Sequence, residues 1–326
     1  MSIWSFIALF LLLLLPAGLR GQDIHFSQID INPILFNPAY SGFFDGTGRF
    51  GLVYRNQWAS VSSPFQTLAA SGEVALFRRR YSRDGLSLGF HTFTDRAGTL
   101  HYGTTAGQAI LSYFKAFGSG NTMLSAAIEA GYAQSGYDPS EAQFEQPGDN
   151  LALYSVHYPL LGAGLALFVQ PSDLTTIRLG LSGRNLNRPN ISYLGLGETV
   201  LQRRLNAYFR LEHRFWPSVS LLPLAAAQFQ LNNTELVTGC DAKWYISEGG
   251  SELVAFSGGL HYRWLDALMV ELALEYNSLV FALNYDANLS KLTPASKSFG
   301  SFELQVVYRM LNHRSPRYRS LPCPII

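Results

Sequence analysis

The feature that most constrains this chain is a two-residue alternation that recurs along its length. Apolar side chains fall at every second position of Arg49–Trp58, where Phe50, Leu52 and Tyr54 oppose Arg49, Arg55 and Gln57. The pattern returns in Arg203–Phe215, where Leu205, Ala207, Phe209, Leu211 and Phe215 oppose Arg204, Asn206, Arg210, Glu212 and Arg214. It returns again in Leu253–Trp264, Ser278–Asn288 and Ser301–Met310. A period of two is the signature of a strand with two different faces. One face here carries too much charge for a sandwich core, and the other is too continuously apolar for a solvated surface. A closed barrel with lipid outside and a wet, polar interior satisfies both faces.

Composition supports that reading. Of 326 residues, 48% are hydrophobic and 14% are charged, well below the roughly 25% of soluble domains. Aromatic residues and glycines are abundant, with 22 Phe, 17 Tyr and 29 Gly. After the N-terminus no apolar run is long enough for a membrane helix. Only helices and closed barrels satisfy their backbone hydrogen bonds in lipid. The expected fold is therefore all-β, a transmembrane antiparallel up-and-down barrel of about 14 strands. Strands are expected near 47–58, 64–77, 85–93, 103–116, 121–132, 157–169, 174–184, 202–215, 217–230, 235–245, 252–264, 267–276, 278–288 and 300–311.

Connection lengths agree with this count. Numbered in order, the long ones are the third (Thr94–Tyr102), fifth (Ala133–Val156), seventh (Asn185–Leu201) and thirteenth (Leu289–Phe299). All are odd, and the even ones are mostly short. Outer-membrane barrels have short periplasmic turns and longer external loops. Both ends of the barrel would then lie on the periplasmic side, and the expected location is the cell outer membrane.

Residues 1–21 hold an apolar run, Ile7–Leu15, followed by Pro16 and small residues. That is a secretory signal peptide in length and order, with a retained anchor as the alternative. Residues 22–46 form an N-terminal strap with two Asn-Pro steps, Asn32-Pro33 and Asn37-Pro38. Proline removes a backbone donor and disfavours helix in the preceding residue, so the strap is expected to run extended. It either plugs the lumen or docks a partner at the periplasmic rim. Residues 47–311 make the barrel, and 312–326 a periplasmic tail.

Chemistry-bearing patterns are sparse. The seven histidines show no HxxxH spacing, and there is no GxSxG or P-loop. His213 and His261 read as wall-filling side chains. Glu129, Glu271 and Glu275 are candidates to line a lumen. Only four of the 24 basic residues are lysines, which suits an arginine-lined interior. Cys240 reads as a strand residue and Cys323 as a tail residue, with one disulfide as the alternative. The net charge of +1 gives no reason to expect a nucleic-acid partner. No cofactor or metal, and no enzyme activity, is expected.

The strap also carries a resemblance. Phe26-Ser27-Gln28, Asn32-Pro33, Asn37-Pro38-Ala39 and Gly42, followed by Tyr54-Arg55-Asn56-Gln57-Trp58, resemble the opening of the PorP/SprF family of the type IX secretion system of Bacteroidetes. Weaker echoes are Gly183-Arg184-Asn185-Leu186-Asn187-Arg188-Pro189, Gln202-Arg203-Arg204 and Cys323-Pro324. The family often ends Cys-Pro-Arg-Phe, whereas this chain ends Cys-Pro-Ile-Ile. The resemblance implies an outer-membrane barrel that supports secretion or surface attachment of a partner cell-surface protein, such as a gliding adhesin. It implies as partners that cargo, other components of the secretion system and outer-membrane lipid. It supplies no catalytic residue. The fifth connection, with Tyr137, Asp138, Phe144 and Glu145, is the candidate external partner surface. An autonomous pore or small-molecule uptake channel is the alternative function.

Overall fold

The computed structural model describes residues 26–44, 46–57, 64–78, 84–98, 100, 102–118, 121–137, 155–192, 199–249, 252–290 and 299–310. Fourteen antiparallel strands close into one barrel, each paired with its neighbours in sequence. They are β1 (Gly48–Gln57), β2 (Phe65–Arg78), β3 (Gly85–Ala97), β4 (Tyr102–Phe117), β5 (Thr122–Gly136), β6 (Ser155–Ser172) and β7 (Thr175–Arg184). They continue as β8 (Arg204–Trp216), β9 (Val219–Gln230), β10 (Asn233–Gly249), β11 (Glu252–Arg263), β12 (Ala267–Tyr276), β13 (Leu279–Asn288) and β14 (Phe299–Met310). β1 closes onto β14, with Gly48 opposite Met310 and Gln57 opposite Ser301. No free edge remains, which is the condition for a sheet in hydrocarbon. No described helix is long and apolar enough to cross a membrane.

The alternation decides which side each residue takes. In β1, Phe50, Leu52 and Tyr54 point outward, while Arg49 and Arg55 are buried inside. In β13, Phe281, Leu283 and Tyr285 are exposed, and Asn284 and Asp286 are buried. All fourteen expected strands exist. Several run further than the alternation suggested, chiefly β3, β5, β6 and β10. As a result the third connection shrinks to residues 98–101. Thr94 to Ala97 pair in register with β4, so these polar residues belong to the wall.

Short turns use residues that tolerate the left-handed region. Asn277 has φ 53° in the turn between β12 and β13, and its Oδ1 accepts a 2.9 Å bond from Leu253 N–H. At the opposite rim, the connection after β7 is built. Leu186 N–H donates to Leu161 carbonyl, and the Asn187 side chain accepts from Leu161 N–H and donates to Pro159 carbonyl. These bonds pair the part of β6 that extends beyond β7. They also place the Gly183–Pro189 echo in a structural role.

The interior departs from the wet, polar lumen expected. Phe114, Phe168, Tyr208 and Met269 face inward and are buried with Ile34, Phe36, Tyr40 and Phe43 of the strap. The alternation hid this, because an inward Tyr208 sits among Arg204, Asn206 and Arg210. These apolar positions exist because the strap needs apolar surface to pack against.

Candidate functional site

The strap lies inside the barrel. It leaves β1 at the rim where the chain enters and leaves the wall, the terminal rim. It ascends to the other rim, which carries the long connections. Near the terminal rim Gly42 N–H donates 2.8 Å to Glu73, and the Ser41 and Ser87 hydroxyls meet at 2.9 Å. Midway, Asn206 donates to the Phe36 carbonyl at 2.9 Å and Arg184 to the Ile34 carbonyl at 3.1 Å. At the far end the N–H groups of Ser27 and Gln28 donate to the Glu303 carboxylate at 2.8 and 3.1 Å. Thus wall side chains satisfy backbone groups that an irregular buried segment would otherwise leave unpaired.

The strap is not continuously extended, which corrects the sequence expectation. Each Asn-Pro step opens a short 3-10 turn, Pro33–Leu35 and Pro38–Tyr40. Proline at the first helical position loses no needed donor and pre-sets φ. Asn37 remains extended (φ −144°) and caps its turn, accepting 2.9 Å from Ala39 N–H. Its amide donates to the carbonyls of Leu165 and Leu181, which face each other across β6 and β7. Gly164 and Gly180 make room: a Cβ on Gly164 would lie 2.1 Å from Asn37 Oδ1, and one on Gly180 would lie 2.5 Å from the Tyr40 hydroxyl. Asn32 exchanges hydrogen bonds with Ser71 on β2.

Aromatic rings lock the lower half. Phe43 stacks on Phe168 at 4.0 Å between centroids, and Tyr40 packs edge-on against Phe168 and Tyr208. Burial pushes the Tyr40 phenol well above its usual range, and its hydroxyl has no hydrogen-bond partner among the described residues.

The polar wall around the strap is cross-linked by ion pairs. Arg49 meets Glu73 at 2.6 Å, Arg184 meets Glu129 at 3.1 Å, and Arg263 meets Asp286 at 3.0 Å. Lys243 and Arg309 both bind Glu275. Arg210 bridges Asp30 of the strap and Asp241 of β10 at 2.7 and 2.6 Å. The interior is arginine-lined, as the shortage of lysine suggested.

Above the strap a cavity of about 430 Å³ lies toward the long-loop rim. Phe26, Phe93, Tyr102 and Tyr158 line it, with Arg184 and Arg204 at its wall. It is mixed in character, and it is invisible in the sequence because its lining comes from eight separate strands, the connection after β7 and the strap.

The singled-out residues fall into three groups. Phe26, Ser27, Gln28, Asn32, Pro33, Asn37, Pro38 and Gly42 lie in the lumen, with Phe26 bordering the cavity. Arg55 is buried in the wall 3.7 Å from Asp286, Tyr54 faces outward, and Asn56 and Gln57 end β1 at the long-loop rim. Tyr137 follows β5 and is half-buried. Trp58, Asp138, Phe144, Glu145 and Cys323 lie outside the described residues. Cys240 is a free thiol on the outward face.

A family model for the type IX secretion system membrane protein PorP/SprF matches residues 19–308, almost all of the chain. The chain belongs to the PorP/SprF family. It is an outer-membrane barrel of the type IX secretion system. No curated protein matches the sequence. Among solved structures, the CymD monoaromatic hydrocarbon channel shares the fold at 12% identity, with a TM-score of 0.52, covering 87% of this chain and 94% of that one. The toluene transporter TodX of P. putida follows at 11% identity and a TM-score of 0.49, covering 86% and 95%. A FadL homologue of Pseudomonas aeruginosa has 13% identity and a TM-score of 0.47, covering 85% and 94%. For this PorP/SprF barrel, the sequence signature and the lumen site are largely one object: most of the signature residues are strap or strap-facing.

Proposed function

We propose that this barrel supports secretion or surface attachment of a partner cell-surface protein exported by the type IX route, such as a gliding adhesin. The carrying observation is the strap. It fills the lumen from the terminal rim upward and is bonded to β2, β3, β6, β7, β8 and β14. With the strap in place a protein chain has no path through, so the role that fits is docking or retention rather than conduction. Residues 1–21 act as the signal peptide, and both rim-proximal ends, including 312–326, face the periplasm. The long connections, with Tyr137, Asp138, Phe144 and Glu145 in the fifth, face outward and meet the cargo. Periplasmic components of the secretion system meet the other rim.

The test is deletion of the gene in its host, followed by measurement of surface display of type IX cargo. Loss of one cargo from the surface supports the reading; unchanged display of every cargo overturns it. The cavity above the strap favours a second reading, small-molecule uptake. Robust single-channel conductance from the purified protein in planar bilayers, without a co-purifying secreted protein, would favour that one.

A further inference from the structure

Asp241, His261 and Glu271 converge from three adjacent strands, β10, β11 and β12, with one ligand atom from each lying within 4.8 Å of the others. His261 Nε2 is 2.9 Å from Asp241 Oδ1 and 3.8 Å from Glu271 Oε2. Ligand atoms about 2.0–2.2 Å from a shared zinc ion lie roughly 3–4 Å from one another, and both distances from His261 are of that order. We propose that Asp241, His261 and Glu271 form a divalent-cation site in the barrel wall beside the strap.

Three independent features support the assignment. The first is an excess of acceptors. Among the described residues Glu271 takes no hydrogen bond, and its contact is His261 alone. Asp30, buried on the strap and close enough to Glu271 for their charges to interact, has an Oδ1 without a hydrogen bond. A buried carboxylate left in this condition is destabilising unless a cation or proton compensates it.

The second feature is the charge count. Asp30 and Asp241 each pair with one permanent cation, Arg210, and Glu271 pairs with none among the described residues. Arg178, on the neighbouring strand, makes no ion pair with them among the described residues. Arg210 uses Asp241 Oδ2, which leaves Oδ1 directed at His261. The guanidinium therefore orients the carboxylate without covering the ligand oxygen, as second-shell groups commonly do.

The third feature is space made in the wall. A Cβ on Gly259 would lie 1.7 Å from Asp241 Oδ1, and a Cβ on Gly239 would lie 2.3 Å from His261 Nδ1. Glycines at both positions let these two side chains lie flat against neighbouring strands and meet. One imidazole with two carboxylates suits zinc and other borderline divalent cations.

The test is isothermal titration of the purified full-length barrel in detergent with Zn²⁺ at neutral pH. The proposal expects saturable binding near one ion per barrel. It expects affinity to fall at least about a hundredfold in His261→Ala and at least about tenfold in Glu271→Gln, beyond or within the range seen for outer-shell losses. A Zn²⁺-dependent rise in melting temperature should shrink in Glu271→Gln, which keeps the side-chain volume and gives up no hydrogen bond among the described residues. Absence of saturable Zn²⁺ binding overturns the proposal. So does unchanged affinity in Glu271→Gln with its folded-band migration intact, since binding would then reside elsewhere, such as at His25 or His313.

Discussion

Ser27 Oγ donates a 3.0 Å hydrogen bond to Asp286 Oδ2, joining the start of the described chain to a wall strand 259 residues later. The same carboxylate oxygen is 3.0 Å from Arg263 and 3.7 Å from Arg55. Thus the Phe-Ser-Gln head and the Tyr-Arg-Asn-Gln-Trp stretch, which look like separate signatures, converge on one acid. Asp286→Asn should therefore be costly, because it leaves two buried guanidiniums with a weakened partner. A loss of about 3 kcal/mol is expected, at the lower end for a broken buried pair. The readout is the temperature at which the folded band is lost on unheated electrophoresis gels; an unchanged transition would contradict the arrangement.

Asn37 and Tyr40 should behave in opposite ways although they are close neighbours. Asn37→Ala removes one bond accepted and two donated at a buried position and takes away the acceptor of Ala39 N–H. A cost of about 2 kcal/mol is expected. Tyr40→Phe removes a buried hydroxyl that has no partner among the described residues, so the barrel should be no less stable than the parent and up to about 1 kcal/mol more stable. A clear destabilisation by Tyr40→Phe would mean that the hydroxyl is satisfied.

Gly164→Ala places a methyl group against Asn37, at 2.1 Å before relaxation, and should cost about 1–3 kcal/mol as overpacking. Gly107→Ala is the control, since its nearest contact would be an ordinary 3.7 Å to Phe90. The two variants should differ in melting temperature by several degrees. Equal behaviour would argue that the strap is not seated between β6 and β7.

Cys240 offers a test of sidedness. In a Cys323→Ser background, an apolar maleimide should label the outward Cys240 of barrels in membrane, and a charged impermeant one should not. Labelling by the charged reagent at a comparable rate would place β10 outside the lipid band.

Pro33→Ala and Pro38→Ala separate packing from docking. Each keeps the buried position but loosens the 3-10 turn, so barrel assembly, measured as folded band in the outer membrane, should fall only modestly. Surface display of cargo measured alongside should fall in step with assembly. A fall in display at full assembly would instead mark the strap as a partner contact.

The wall was legible from sequence because every strand repeats one local rule, lipid outside and protein inside. Phe50, Leu52 and Tyr54 announce their side without knowledge of any other strand. The interior was not legible in the same way. Tyr208 and Phe168 are apolar on the inward face for the sake of Tyr40 and Phe43, which precede them by more than a hundred residues. Asp241, His261 and Glu271 are spaced by a strand-and-return, a separation that no short motif describes. The bends of the strap are hidden in the sequence for a third reason. Proline breaks the interior of a long helix, yet at the first position after a capping Asn it favours a single 3-10 turn, and the same dipeptide carries both tendencies.

The position of the strap ahead of β1 has a consequence for biogenesis. A chain made from its N-terminus presents Asn32, Asn37 and Tyr40 before any wall exists, while the β1–β14 seam joins the first strand to the last. Glu303, which grips Ser27 and Gln28, sits on that final strand. The seam and the strap's last hydrogen bonds are thus completed by the same piece of polypeptide.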